Sequence, residues 1–212
     1  MPDQTEPRDA ARLLQILIAE HASLTAMRTQ SQSEMASRAT MFVAALSGGL
    51  VAISFIAQAT RFGPESKAFD LTILTVLLFV GVATFVRTLD LNADDVRWVA
   101  ALNRLRGAYI ELEPASSRYL VTARADDAEG IQATINPGRS IHPIYGLAAT
   151  PGLIAVIDGV IGGAIAGVIS TVIAPSIDIS AILAIGALGF AVVLGSHARY
   201  GARVFGRAVR PD

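Results

Sequence analysis

Four long apolar runs dominate this sequence of 212 residues. A helix needs about 20 apolar residues to cross the ~30 Å hydrocarbon core of a bilayer. We predict membrane-spanning helices at four places, each with at most one charged side chain: 39–60, 71–88, 152–174 and 179–198. The runs lack the polar stripe of period 3.6 that marks the helices of a soluble bundle. The sequence therefore predicts an all-α integral membrane protein.

Basic residues predict how these spans are oriented. Of the 17 lysines and arginines, all but Arg61 and Lys67 lie before the first span, between the end of span two (Arg87) and span three, or after span four. Cytoplasmic segments of membrane proteins carry an excess of basic residues. We therefore expect both termini to face the cytoplasm.

Two helical hairpins follow from this orientation, joined by outer segments at 61–70 and 175–178. The cytoplasmic parts are 1–38, 89–151 and a basic tail at 199–212. Apolar side chains recur at helical spacing in two places, which predicts amphipathic cytoplasmic helices over residues 9–38 and Asn92–Glu113. Asn92 with Asp95 has the pattern of a capping box, so the second helix is expected to begin there. The two apolar stripes either pack against each other or dock a cytoplasmic protein partner.

Asp158 is the one acidic residue inside a span. A carboxylate in hydrocarbon costs on the order of 3 kcal/mol by insertion scales, so such a residue is a functional-site hypothesis. Antiparallel pairing about the turn at 175–178 places it near Gly195, with His197 and Arg199 one turn further. Arg87 and Arg38 are expected at the same membrane level. This polar cluster is either an ion pair that holds the helices together or a proton or cation site.

Small residues recur at intervals of four along the third span, at Gly159, Gly163 and Gly167. This spacing lets helix backbones approach closely. Spans one and four carry similar stripes: Ala44, Gly48 and Ala52, and Ala187, Ala191 and Gly195. The pattern predicts close helix packing, either within the chain or between the subunits of a homo-oligomer.

The tail after the fourth span presents one basic helix face. It carries Arg199, Arg203, Arg207 and Arg210, spaced by four, four and three residues. Such a face attracts anionic lipid headgroups at about 1 kcal/mol per arginine. The tail either binds lipid headgroups or anchors the topology without a specific lipid.

Motifs for catalysis and for cofactor binding are missing from the sequence. It has no cysteine, no H-E-x-x-H, no G-x-S-x-G and no phosphate-binding loop. Its three histidines are far apart, and a net charge of −1 gives no attraction to nucleic acid. We expect no enzyme activity, no cofactor and no metal. The expected partners are the lipid bilayer, a second copy of the chain and a cytoplasmic protein.

Three segments carry a resemblance: Ser37–Phe42, Gly81–Arg87 and Asp94–Arg104. On these residues the chain resembles an uncharacterised group of small bacterial four-helix integral membrane proteins. The resemblance implies four spanning helices and no particular activity. The first hypothesis is therefore a non-enzymatic, multi-pass protein of the inner (cell) membrane that acts through helix–helix assembly or a partner. The alternative is a small channel, transporter or membrane-permeabilising effector with Asp158 near the permeation path.

Overall fold

The computed structural model describes residues 5–137, 147 and 149–208, and every regular element in these ranges is helical. Its four long helices are α1 (Thr5–Ala59), α2 (Pro64–Leu112), α4 (Thr150–Ile173) and α5 (Ile179–Ala208). A 3₁₀ helix (Pro114–Tyr119) and the short helix α3 (Ala128–Ile135) lie between α2 and α4. Each long helix contains a stretch long and apolar enough to cross a membrane. The predicted all-helical fold with four such helices is confirmed, and the chain is a multi-pass membrane protein.

Helices α1 and α2 are much longer than the spans they contain, because each continues into an adjoining polar segment. The predicted helix start at Asn92 is wrong, since α2 runs through this residue without a break. No glycine or proline interrupts residues 82–106, so nothing ends the helix there. In a continuous helix the backbone N–H groups need no side-chain cap. The Asp95 carboxylate instead accepts two hydrogen bonds from the Arg28 guanidinium, at 2.8 and 3.1 Å.

The connection between α1 and α2 is shorter than the predicted segment 61–70. Arg61 and Phe62 adopt left-handed backbone conformations, with φ of 50° and 59°. The Phe62 N–H donates to the Ala57 carbonyl at 2.8 Å, which closes the end of α1. Helix α2 then begins at Pro64, because a proline at the first helical position gives up no internal hydrogen bond.

Helices α4 and α5 are also joined by a short turn. The Asp178 carboxylate accepts hydrogen bonds from the backbone N–H and the hydroxyl of Ser180 at the start of α5. These bonds lower the pKa of Asp178. The turn is therefore closed by the side-chain cap that a helix N-terminus favours.

The chain forms two compact units. The first, called here the polar unit, comprises 1–33, 91–141 and 205–212. Within it Leu24 of α1 and Val99 and Leu102 of α2 are buried. The Tyr109 hydroxyl donates to the Leu17 carbonyl at 3.0 Å. Both apolar and polar contacts therefore join α1 to α2 in this unit.

The second unit, called here the span unit, comprises 34–90 and 142–204. In it Gly49 of α1 lies against the side chains of Ile73 and Leu77 of α2. The Lys67 ammonium donates to the Thr171 carbonyl at 3.3 Å, which links α2 to α4. Helices α2, α4 and α5 also meet in this unit, and the candidate site lies where they meet.

Candidate functional site

Asp158 and His197 form a buried hydrogen-bonded pair in the span unit. The Asp158 residue is 0% exposed and His197 is 5% exposed. The Nε2 atom of His197 lies 3.0 Å from Oδ2 of Asp158. The partners come from α4 and α5, so this bond links the two helices.

The other nitrogen of the ring determines how many protons the pair holds. His197 Nδ1 lies 2.9 Å from the Val193 carbonyl oxygen, which can only accept a hydrogen bond. Nδ1 therefore carries a hydrogen. The bond between Nε2 and Oδ2 then requires one more proton, bound either to the ring or to the carboxyl group. Either arrangement is neutral overall, which is the form of an ionisable pair that costs least in an apolar region.

Gly81 lets α2 approach this pair closely. A Cβ atom at position 81 would collide with Oδ1 of Asp158, so only glycine fits there. Oδ1 is buried and has no hydrogen-bond partner among the described residues. One turn further along α2, the Phe85 ring meets the His197 ring edge to face, with 4.2 Å between the ring centroids. We call the group Gly81, Phe85, Asp158 and His197 the Asp–His clasp, because it joins α2, α4 and α5.

The arginines predicted to join Asp158 lie elsewhere. Arg38 and Arg87 both bind Glu34, with their Nε atoms 2.8 and 3.0 Å from Oε1 of that residue. A second bond joins Arg87 Nη2 to Glu34 Oε2 at 3.1 Å. These bonds lower the pKa of Glu34, which stays a carboxylate at neutral pH. Arg199 of the predicted cluster is exposed.

Antiparallel pairing about the turn at 175–178 predicts that residue 195 lies opposite Asp158. The residue that bonds to Asp158 is His197, two positions later. Position 195 faces open space, because nothing lies within 4 Å of a Cβ built on Gly195. Side chains of a helix tilt toward its N-terminus, so a residue covers the surface about one turn before it. The His197 ring follows this rule, because it bonds to the Val193 carbonyl.

Sequence reasoning did not find Gly81, Phe85 or Glu34. Gly81 is the one glycine between residues 71 and 88, and a lone glycine in a span is a signal of close helix approach. Glu34 stands four residues before Arg38, the spacing of an ion pair on a helix. Nothing in the sequence distinguishes Phe85 from the other apolar residues of α2.

The predicted packing glycines of α4 face α5. A Cβ on Gly163 would lie 2.7 Å from the Gly186 carbonyl oxygen, and one on Gly159 would lie 2.9 Å from the Phe190 ring. At Gly167 the same atom would have ordinary contact, 3.6 Å from Ile182. Position 163 therefore requires glycine, a Cβ at position 159 would displace the Phe190 ring, and α5 covers this stripe within the chain.

The basic tail is described in part. Arg199, Arg203 and Arg207 are exposed on α5, whereas Arg210 lies outside the described residues. His142 also lies outside them. In the part of the chain that the structure describes, no three His, Cys, Asp or Glu side chains group so as to hold a metal ion. Lipid-headgroup binding by the tail stays a prediction.

No protein-family model, curated protein sequence or solved structure matches the chain.

Gly163→Ala should destabilise the span unit, because the added methyl group meets the backbone of α5 rather than a side chain that can move. Overpacking of this kind costs about 1–3 kcal/mol. We expect a lower thermal unfolding temperature for the full chain in mild detergent. Gly195→Ala is the matched control on α5, and its unfolding temperature should stay at the wild-type value. Equal stability of the two variants would contradict the packing described here.

Proposed function

We propose that the chain is a non-enzymatic protein of the bacterial inner membrane that acts through assembly of its helices with a second copy. One observation carries this proposal. The adjacent glycines of α1 have opposite surroundings, since a Cβ on Gly49 would meet Leu77 at 2.7 Å whereas one on Gly48 would meet nothing within 4 Å. Ala44, one turn before Gly48, is exposed as well. The first span therefore has one face packed against α2 and a small-residue face that is open.

The surroundings of this open face favour a helix as its occupant. Apolar side chains in a bilayer gain little from leaving lipid, so spans associate mainly by close backbone approach. The third span uses its small residues against α5, so its stripe is not free for a second copy. In the most apolar stretches of α1 and α5, 6% and 0% of the residues are buried, against 33% in α4. The first and fourth spans are thus the most exposed, and we assign the contact with the second copy to the first.

Two features of the clasp support a structural role over an enzymatic one. Asp158 is completely covered by protein, so no substrate can reach its carboxylate. His197, the neighbouring base, is enclosed by Phe85 and bonded at both ring nitrogens. The same enclosure weighs against the alternative of a channel or transporter, because a permeation path needs water or an ion beside the carboxylate.

The arginine distribution supports an arrangement of two helical hairpins with both termini in the cytoplasm. In this arrangement 1–38, 89–151 and 199–212 are cytoplasmic, and the turns at 61–70 and 175–178 face outward. Fourteen of the 17 basic residues then lie in these cytoplasmic segments, and Arg87 lies at the cytoplasmic end of the second span.

Cysteine crosslinking in native membranes tests the assembly. The chain has no cysteine, so a single introduced thiol can form a disulfide only with another protein molecule. We expect Gly48→Cys to give a covalent dimer on mild oxidation, because helices that meet at small residues bring their Cα atoms within disulfide range, about 4.4–6.8 Å. Gly195→Cys on α5, which also has open space around it, tests whether the two copies meet at the fourth span instead. Absence of the Gly48→Cys dimer, or equal crosslinking of both variants, would count against the proposal.

Labelling of single cysteines tests the orientation. Ser33 and Ser176 are both exposed in the described structure and lie on opposite sides in the proposed topology. A membrane-impermeant maleimide should label Ser176→Cys in intact spheroplasts and Ser33→Cys only after the membrane is opened. The reverse pattern would mean that the orientation is inverted, and labelling of both in intact cells would rule out the arrangement.

A further inference from the structure

The polar unit contains a cleft of about 530 Å³ between α1 and α2. Six of its seven lining residues have polar or charged side chains, among them His21, Arg28 and Gln32 of α1 and Arg106 of α2. Small-molecule sites commonly have volumes of about 300–1,000 Å³. Its size therefore suits a small organic molecule, and its two arginines suit one that carries an anionic group.

The charges around the cleft do not balance. Arg28 forms a two-pronged ion pair with Asp95, at 2.8 and 3.1 Å. Arg106 is half-buried, and its one hydrogen-bond partner among the described residues is the neutral side-chain oxygen of Asn103, at 2.7 Å. Two guanidinium groups thus stand beside one carboxylate, which is bound to Arg28. The positive charge of Arg106 is left without a carboxylate partner among the described residues.

The excess of positive charge contributes to lowered pKa values of two groups beside the cleft. Burial and the neighbouring Arg28 guanidinium lower the pKa of Arg106, although an arginine stays charged at neutral pH. Burial and the Arg106 charge lower the pKa of His21, so its ring is neutral at pH 7. The excess charge therefore comes from the arginines alone.

Asn103 holds the Arg106 guanidinium in place. Asn103 is fully buried, and its amide nitrogen donates to the Ala125 carbonyl at 2.8 Å. Its side-chain oxygen accepts from the Thr134 hydroxyl at 3.0 Å as well as from Arg106. A guanidinium has five N–H donors, so four of those on Arg106 have no partner among the described residues. A fixed guanidinium with free donors is a preorganised anion receptor.

We propose that this cleft binds the phosphate group of a small phosphorylated molecule. A guanidinium matches phosphate oxygens with two parallel hydrogen bonds, and Gln32 adds an amide donor. The negative charge of the phosphate would offset the excess that Arg106 carries. Because the cleft is much larger than a phosphate ion, the organic part of the ligand has room beside it.

Titration calorimetry on the full chain in an uncharged detergent tests the site, with inorganic pyrophosphate as the probe at low ionic strength. Wild-type protein should bind pyrophosphate with a dissociation constant of about 1 mM or below. Arg106→Gln should weaken binding about 10- to 100-fold, the loss expected for one charge-assisted contact. Arg106→Lys keeps the charge but loses the planar guanidinium. Its affinity for pyrophosphate should lie between those of wild type and Arg106→Gln.

Arg97→Gln is the matched control, because Arg97 is an exposed arginine on the same helix and pairs with Asp94. Its affinity should stay within about twofold of wild type if the contact is local rather than a long-range field. The Arg106 variants should fold, because Asn103 keeps its bonds to Ala125 and Thr134, and the helical circular-dichroism melt verifies this. No binding by folded wild-type protein, or equal loss in Arg97→Gln and Arg106→Gln, would overturn the proposal.

Titration in nanodiscs then identifies the source of the phosphate group. Phosphatidylcholine nanodiscs are compared with nanodiscs that also contain phosphatidylglycerol. Equal pyrophosphate affinity in both supports a soluble phosphate as ligand. If pyrophosphate binds more weakly in the nanodiscs that contain phosphatidylglycerol, the lipid headgroup competes for the site. This difference between the two nanodiscs should then be absent in Arg106→Gln. Crosslinking at Gly48 does not depend on either result, so this inference and the proposed assembly can fail separately.

Discussion

The hydrogen bond between Asp158 and His197 is the interaction on which the span unit depends. An unpaired carboxylate in a span costs on the order of 3 kcal/mol, which is a large fraction of the stability of a small protein. Pairing with His197 gives a neutral group whose polar atoms are satisfied except for one carboxyl oxygen. The bond also has a strict geometry, since Nδ1 of the same ring is held by the Val193 carbonyl. A pair of this kind fixes α4 against α5 in one register.

Other features of the span unit follow from this register. Gly163 lies against the backbone of Gly186, and Gly159 against Phe190, so the two helices approach as closely as glycine allows. Close approach replaces the hydrophobic driving force that spans lack in lipid. Helix α2 packs against the Asp158–His197 pair, with Gly81 beside Asp158 and the Phe85 ring against His197. Helix α1 contacts α2 through Gly49, and its neighbouring Gly48 has open surroundings, which is where we propose that a second copy binds.

Much of the fold could be predicted from sequence because its main signals are local. Apolar runs with at most one charge predict the four spans, and the spacing of glycines predicts the stripe on α4. The continuity of α2 was missed, because the Asn92 and Asp95 pattern resembles a helix start while Asp95 binds Arg28, 67 residues away. Pairing at that separation leaves no local pattern. The same holds for Arg87, whose partner Glu34 is 53 residues distant.

The candidate site could be predicted in part. A lone acidic residue in a span marks Asp158, and the short turn between the third and fourth spans brings His197 near it. Gly81 and the cleft beside Arg106 depend on contacts between helices far apart in sequence. Such contacts are set by side-chain direction and close packing, which a hydropathy pattern does not contain.

A double-mutant cycle between positions 81 and 158 tests the central role of the clasp most directly. Free energies of unfolding would be measured in mild detergent for wild type, Gly81→Ala, Asp158→Ala and the double variant. Gly81→Ala should destabilise the wild type, because its methyl group collides with the Asp158 carboxylate. In the Asp158→Ala background the same change should have little effect, which gives a coupling energy of about 1–3 kcal/mol. Additive effects, within about 0.5 kcal/mol, would show that the two residues do not meet and would contradict the account.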